Sequence, residues 1–177
     1  MHRFKRLEGG FCSPSLFFYR KKLIQKEKIR QIIDEKLAGS DLYLVELTVS
    51  ADNRISVEID AKQGISIDFC AELSRYIESQ LDREAEDFEL EVGTPGLGQP
   101  FKVLQQYQKF LGSEVEVLTN EGKKISGILR SADDDGFLLE ISYLTKPEGA
   151  KRKVEVMETL NFKYNQVKHT KYIIRFK

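Results

Sequence analysis

Leu90-Glu91-Val92-Gly93-Thr94-Pro95-Gly96-Leu97-Gly98-Gln99-Pro100 decides how this chain of 177 residues divides. Phe88, Leu90 and Val92 alternate with Glu89 and Glu91, the period of a half-buried strand. Residues 93–100 then hold three glycines and two prolines, a composition that interrupts both helix and strand. The break predicts a junction between an N-terminal domain at 23–97 and a C-terminal domain at 101–177, with 98–100 as linker. Pro95, Gly96, Gly98 and Pro100 are its expected hinge, because proline fixes φ and glycine admits unusual backbone angles.

Charge divides at the same place. The chain is neutral overall, with 28 basic and 28 acidic side chains, so a polycation or an acidic disordered tail is excluded as its general character. Residues 23–100 hold 8 basic and 17 acidic side chains, net −9, whereas residues 101–177 hold 14 and 10, net +4. Residues 1–22 carry six Lys or Arg against Glu8, are broken by Gly9-Gly10 and Ser13-Pro14-Ser15, and are expected to form a disordered basic tail. That tail lacks the apolar core and small-residue cleavage site of a signal peptide. No run approaches the roughly 20 apolar residues of a membrane span. The two cysteines, Cys12 and Cys70, make neither a disulfide framework nor a zinc ribbon, and a reducing cytoplasm fits them.

Upstream of the junction, Ile29, Ile32, Ile33 and Leu37 recur at helical spacing and predict a helix over 23–37 ending near Gly39. Tyr43, Val45, Leu47 and Val49 alternate. A turn at Ala51-Asp52-Asn53 and a second alternation at Ile55, Val57 and Ile59 complete a hairpin. Ser66 is placed to cap a second helix, with Asp68 in its first turn and Phe69, Cys70, Leu73, Tyr76, Ile77 and Leu81 on its apolar side. The order is α-β-β-α-β. Downstream, Phe101 to Phe110 reads as a short helix. Strands follow at Val115 and Val117, Ile125 to Leu129, Phe137 to Tyr143, Val154 and Val156, and at the C-terminus Tyr172, Ile174 and Phe176. Five short strands with glycines at 112, 122, 127 and 136 suit a small barrel, which leaves no exposed sheet edge. The fold class is α+β.

Catalytic and cofactor motifs are not found. His2 and His169 lack sequence neighbours suited to proton transfer, and Cys70 falls on an apolar helix face. Ser131-x-Asp133-x-Asp135-Gly136 resembles the start of a calcium loop, yet position one is Ser and position twelve is Ser142 where a bidentate Glu is needed. It reads as a turn. Gly93-Thr94-Pro95-Gly96 follows a strand rather than joining two helices, which disfavours a KH-type clamp, and no dinucleotide or Walker loop occurs. No metal, cofactor or small-molecule substrate is expected. What remains is electrostatic: between Lys146 and Lys177 stand nine basic and three acidic residues. Lys151-Arg152-Lys153 form one run, and Lys171, Arg175 and Lys177 are expected on one face of the last strand. Such a face would neutralise phosphates and bind with a steep salt dependence.

Gly64-x-Ser66-x-Asp68-x-Cys70-Ala71-Glu72-Leu73-Ser74-Arg75, then Leu90 to Leu97 and Pro100-Phe101, then Tyr107 to Val117 with Phe110-Leu111-Gly112, and the Gly122 to Leu129 hairpin resemble the bacterial ribosome maturation factor RimP family over residues 23–177. The resemblance implies an N-terminal α/β domain, a C-terminal SH3-like or Sm-like β-barrel and no catalytic activity. It also implies binding to the immature 30S small ribosomal subunit in its late assembly, with contacts to ribosomal RNA and to a basic ribosomal protein. At the junction this chain has Gly93-Thr94 and Gly98-Gln99 where the family has Ser-Ser and an acidic residue followed by Arg.

A division of labour is expected from this. Glu84, Glu86, Asp87 and Glu89 would face the basic ribosomal protein, while Lys151, Arg152, Lys153, Lys171 and Arg175 would face RNA, complementary fields setting orientation and encounter rate. The alternative expectation is a protein-interaction module whose barrel edge binds a partner without RNA.

Overall fold

A computed structural model of the chain describes residues 24–83, 87–145 and 152–175. The basic tail, Glu84, Glu86, Lys151, Phe176 and Lys177 lie outside them.

The N-terminal half follows the expected order: α1 (Lys26–Leu37), β1 (Leu42–Val49), β2 (Arg54–Ala61), α2 (Ile67–Ser79) and β3 (Glu89–Gly93). Ile29, Ile32, Ile33 and Leu37 of α1 are buried, and Ser66 Oγ accepts the Phe69 N–H at 3.3 Å, so the cap and apolar stripe read from sequence form as expected. β1 and β2 make an antiparallel hairpin. The α2 crossover lets β3 run parallel to β2, giving a sheet in the order β1-β2-β3. Both helices pack on one face of that sheet around Ile33, Ile55, Val57, Ile59, Leu73 and Ile77, with Cys70 at the margin of the core.

Two details depart from the periodic reading. The register of β1 against β2 shifts between Leu44 and Glu46, so Val45 is an extra residue. Leu42 and Leu44 before the bulge and Leu47 and Val49 after it therefore share the core, and Tyr43 turns away to donate its hydroxyl to Asp60 at 3.2 Å. Asn53, expected only to turn the chain, is fully buried in the left-handed region at φ 59°. Its Oδ1 accepts the Ile24 N–H and its Nδ2 donates to the Asp87 carbonyl, both at 3.1 Å, while its own carbonyl accepts the Glu89 N–H. One asparagine thus ties together the approach to α1, the start of β2 and the start of β3.

The C-terminal half opens with α3 (Leu104–Lys109), from which Gln106 Oε1 reaches back to accept the N–H groups of Lys102 at 2.7 Å and of the N-cap Val103 at 3.4 Å, fastening the entry to the helix. Then come β4 (Glu114–Thr119), β5 (Lys124–Ala132), β6 (Gly136–Thr145), β7 (Val154–Lys163), a 3₁₀ turn at Tyr164–Gln166, and β8 (Val167–Tyr172). The sheet order is β7-β6-β5-β4-β8, with every neighbour antiparallel. A second core, built on Tyr107, Val115, Val117, Leu129, Phe137 and Leu139, shares no residue with the first. Four of the expected strands are present and a fifth forms earlier than expected, but the barrel is not closed: β7 and β8 are the two margins of the sheet and do not pair with each other among the described residues. The last strand also ends at Tyr172, before Ile174. Its sequence VKHTKY shows no apolar alternation, and it is placed by pairing with β4 and by burial of Thr170.

Glycine is required at two points of close approach rather than at turns. A Cβ on Gly127 would lie 2.4 Å from the Glu140 carbonyl oxygen, and one on Gly136 would lie 2.2 Å from that of Phe162. Asn53→Ala removes two side-chain hydrogen bonds and puts a residue less tolerant than asparagine in the left-handed region, so it should destabilise the N-terminal half by about 3 kcal/mol. Gly136→Ala should destabilise the C-terminal half by about 1–3 kcal/mol. Urea unfolding followed by residue-resolved NMR should show each loss in its own half.

Candidate functional site

The junction loop brings the two halves together through charge. Residues 94–99 span the gap, Pro100 bridges Lys171, and the Phe101 N–H reaches the Thr170 carbonyl at 2.9 Å, so the linker covers the outer margin of β8. Immediately after it, Lys102 Nζ lies 2.5 Å from Glu46 and 2.8 Å from Glu58. Seven positions on, at the end of α3, Lys109 Nζ meets both Asp60 oxygens at 2.7 and 2.9 Å. All three carboxylates belong to the hairpin of the N-terminal half.

These contacts differ in burial. The Lys109 and Asp60 side chains are 21% and 8% exposed, and Asp60 also accepts the Tyr43 hydroxyl and the Ala61 N–H. Burial, and after it the Asp60 charge and hydrogen bond, pushes the Tyr43 phenol far above its usual range. Lys102 is one-third exposed. Partial burial pulls its ammonium down, but hydrogen bonds to Glu46 and Glu58 and their charges outweigh this and hold it above the usual lysine value.

Beside the clamp lies a cleft of about 290 Å³, with Asp60 and Lys109 among its lining residues and Thr94 to Gln99 along it. Its aromatic wall is a run of stacked rings, Phe101 on Phe110 at 5.2 Å and Phe110 on Tyr172 at 4.7 Å. The expected hinge residues Pro95, Gly96 and Gly98 all line this cleft. Gly98 adopts φ 77°, a conformation that favours glycine. Leu97 is 80% exposed.

Among the described residues, the expected binding residues are not gathered into one face. Arg152 and Lys153 are exposed just before β7. Lys171, in β8, stands opposite Glu116 of β4. Arg175 lies beyond the strand and donates to Glu114 at 2.7 Å, so the expected alignment of Lys171 with Arg175 along one strand face is corrected. On the acidic side, Asp87 is exposed, and Glu89 pairs with Arg54 at 3.2 Å. In the acidic loop Asp133 is structural: its Oδ1 accepts the N–H groups of Asp135 and Gly136, both at 3.0 Å. Among the described residues no group of three or more His, Cys, Asp or Glu is assembled as a metal site, and no helix is long and apolar enough to cross a membrane.

Sequence reading missed Lys102 and Lys109. Their partners lie 44 to 56 positions away, and in a chain with 28 basic residues nothing local separates a clamping lysine from a solvated one.

Residues 29–98 match the sequence family described as RimP N-terminal domain. A protein of Porphyromonas gingivalis described as ribosome maturation factor RimP is 41% identical over 152 residues, which cover 86% of this chain and 100% of the relative. Proteins of the same description from Christiangramia forsetii and Flavobacterium psychrophilum are 32% and 30% identical over 152 residues, covering 85% of this chain and 99% and 98% of theirs.

Lys109→Met leaves Asp60 buried without its cation and should lower stability by about 2–4 kcal/mol. Lys102→Met, at the more exposed pair, should cost about 1 kcal/mol or less. Repeating both melts in 1 M NaCl should shrink the Lys102 effect more than that of Lys109, because screening reaches the exposed pair first.

Proposed function

The chain belongs to the RimP family of ribosome maturation factors, and on that footing we propose that it binds the immature 30S small subunit in the cytoplasm and assists late assembly without catalysing a reaction. The observation that carries this reading is similarity to RimP proteins along nearly their whole length, on a chain whose residues 23–100 carry net −9 and whose residues 101–177 carry net +4.

In this reading residues 23–97 and 101–177 act as two domains, the second an SH3-like arrangement. Three features support that arrangement: the antiparallel order, the 3₁₀ turn leading into β8, and a core that takes Phe162, Tyr164 and Val167 from the chain on both sides of that turn. Lys102, Lys109 and Arg175 are engaged within the molecule. The RNA-facing role therefore centres on Lys151, Arg152 and Lys153, with Lys171 further off on β8. Tyr143, 45% exposed on the strand paired with β7, offers a ring on which an unpaired base can stack. Glu84, Glu86, Asp87 and Glu89 remain the proposed contact for a basic ribosomal protein. Fields of opposite sign at two ends would orient the encounter.

Cosedimentation with precursor small subunits over a salt series tests this. The wild-type chain should pellet with subunits at low salt and leave them at high salt. Charge reversal at Lys151, Arg152 and Lys153 should weaken association and flatten the logarithmic salt dependence by about 2, the release expected for three lost phosphate contacts. An unchanged slope removes these residues from the RNA contact. Absence from the subunit fraction at every salt concentration favours the protein-interaction module instead.

A further inference from the structure

The strand margins are protected unequally. β1 is broken by its bulge at Val45, β3 has five residues, and β8 is covered by Pro100 and Phe101. These are the usual ways of preventing stray strand addition. β7 has none of these three, its only such device being the charges of Glu155, Glu158 and Lys163: it runs ten residues from Val154 to Lys163, pairs with β6 without a register shift, and is largely exposed, with Val154 at 49% and Met157 at 69%.

The direction of its free groups follows from its end. Gly136 faces Lys163 but turns its N–H and carbonyl to Asp133. The Lys163 N–H therefore points away from β6, where Gln166 Oε1 accepts it at 2.9 Å. Alternation along a strand then aims the N–H and carbonyl groups of Glu155, Met157, Thr159 and Asn161 outward too. Among the described residues they meet no backbone partner.

We propose that β7 is a self-association edge, on which a second copy of this chain adds its own β7 in antiparallel register about a two-fold axis at Thr159. On the outer face charge favours this register, although on the other face the two Glu158 side chains lie diagonally across the axis. This register sets Glu155 opposite Lys163 twice, Met157 opposite Asn161 and Thr159 opposite Thr159 on the outer face, with Val156 opposite Phe162 on the other. Moving the axis to Glu158 would place two glutamates face to face, and like charges directly opposite are destabilising. An isologous pairing of this kind closes at two copies and joins two five-stranded sheets into one of ten strands. The inference rests on the fold and not on the ribosomal reading.

Sedimentation velocity of the full chain from about 1 to 500 µM, at low salt, tests it, with circular dichroism confirming the fold of each variant. The wild type should show a concentration-dependent dimer. Glu155→Lys and Lys163→Glu each place like charges opposite at two symmetric positions and should raise the dimer dissociation constant about tenfold. The double variant E155K/K163E should restore it to within about threefold. Thr159→Lys, which sets two ammonium groups on the axis, should leave only monomer. A monomer at every concentration overturns the proposal, as does a dimer indifferent to the charge swap. So does a monomer whose β7 amides shift only on addition of small subunits, since the edge then belongs to a ribosomal strand.

Discussion

The contact between Lys109 and Asp60 is the constraint on which the relation between the two halves depends. Each half has its own apolar core, and no buried side chain is common to both. Among the described residues, what links them is a loop of glycine and proline, itself bridged to β8 at Pro100, and two ammonium groups on three carboxylates. An interface of this kind holds an angle by direction and charge rather than by packed volume. The Lys109 contact, with its acidic partner buried, contributes most because water screens it least. Lys102 adds a second point of attachment on the same hairpin, which restricts rotation about the first.

This arrangement revises the picture of a negative head and a positive body with two free fields. Three of the acidic charges of the first half are answered by cations of the second. Exposed carboxylates of the first half remain on several elements, Glu27, Asp34, Asp41 and Asp68 as well as Asp87 and Glu89, and exposed cations of the second half include Lys123, Lys124, Arg152, Lys153 and Lys168. The surfaces proposed for protein and for RNA are thus part of what remains after the molecule has satisfied its own electrostatics, smaller than the net charges of the two halves suggest.

Much of the fold was legible because local chemistry and tertiary packing agreed. The α1 stripe, the Ser66 cap, the hairpin and the alternation before Gly93 each depend on residues within a few positions of one another. The misses have a common cause. The β1 bulge brings Leu42 and Leu44 rather than Tyr43 onto the core while Val45 stays buried, a shift of phase that alternation alone does not reveal. β8 is placed by pairing rather than by its own pattern, since a strand reading VKHTKY becomes internal only once β4 and the linker flank it. Asn53 looks like any turn asparagine until Ile24 and Asp87 arrive from distant parts of the chain to use its amide. The candidate surfaces were legible only as composition. Arg175 and Lys153 are alike in sequence and both exposed, and only the position of Glu114 gives one of them a carboxylate partner.

The independence of the two cores has a consequence for how the protein is made. Once residue 93 has cleared the ribosomal exit tunnel, the nascent chain holds every side chain of the first core, and that half can fold while the second is still being translated. Glu46, Glu58 and Asp60 then wait on a finished surface, and the first lysine to reach them is synthesised only nine residues after the last strand of their own half. Vectorial synthesis therefore delivers the second half to a prepared electrostatic template, so the angle between the halves is guided before the later sheet has been completed.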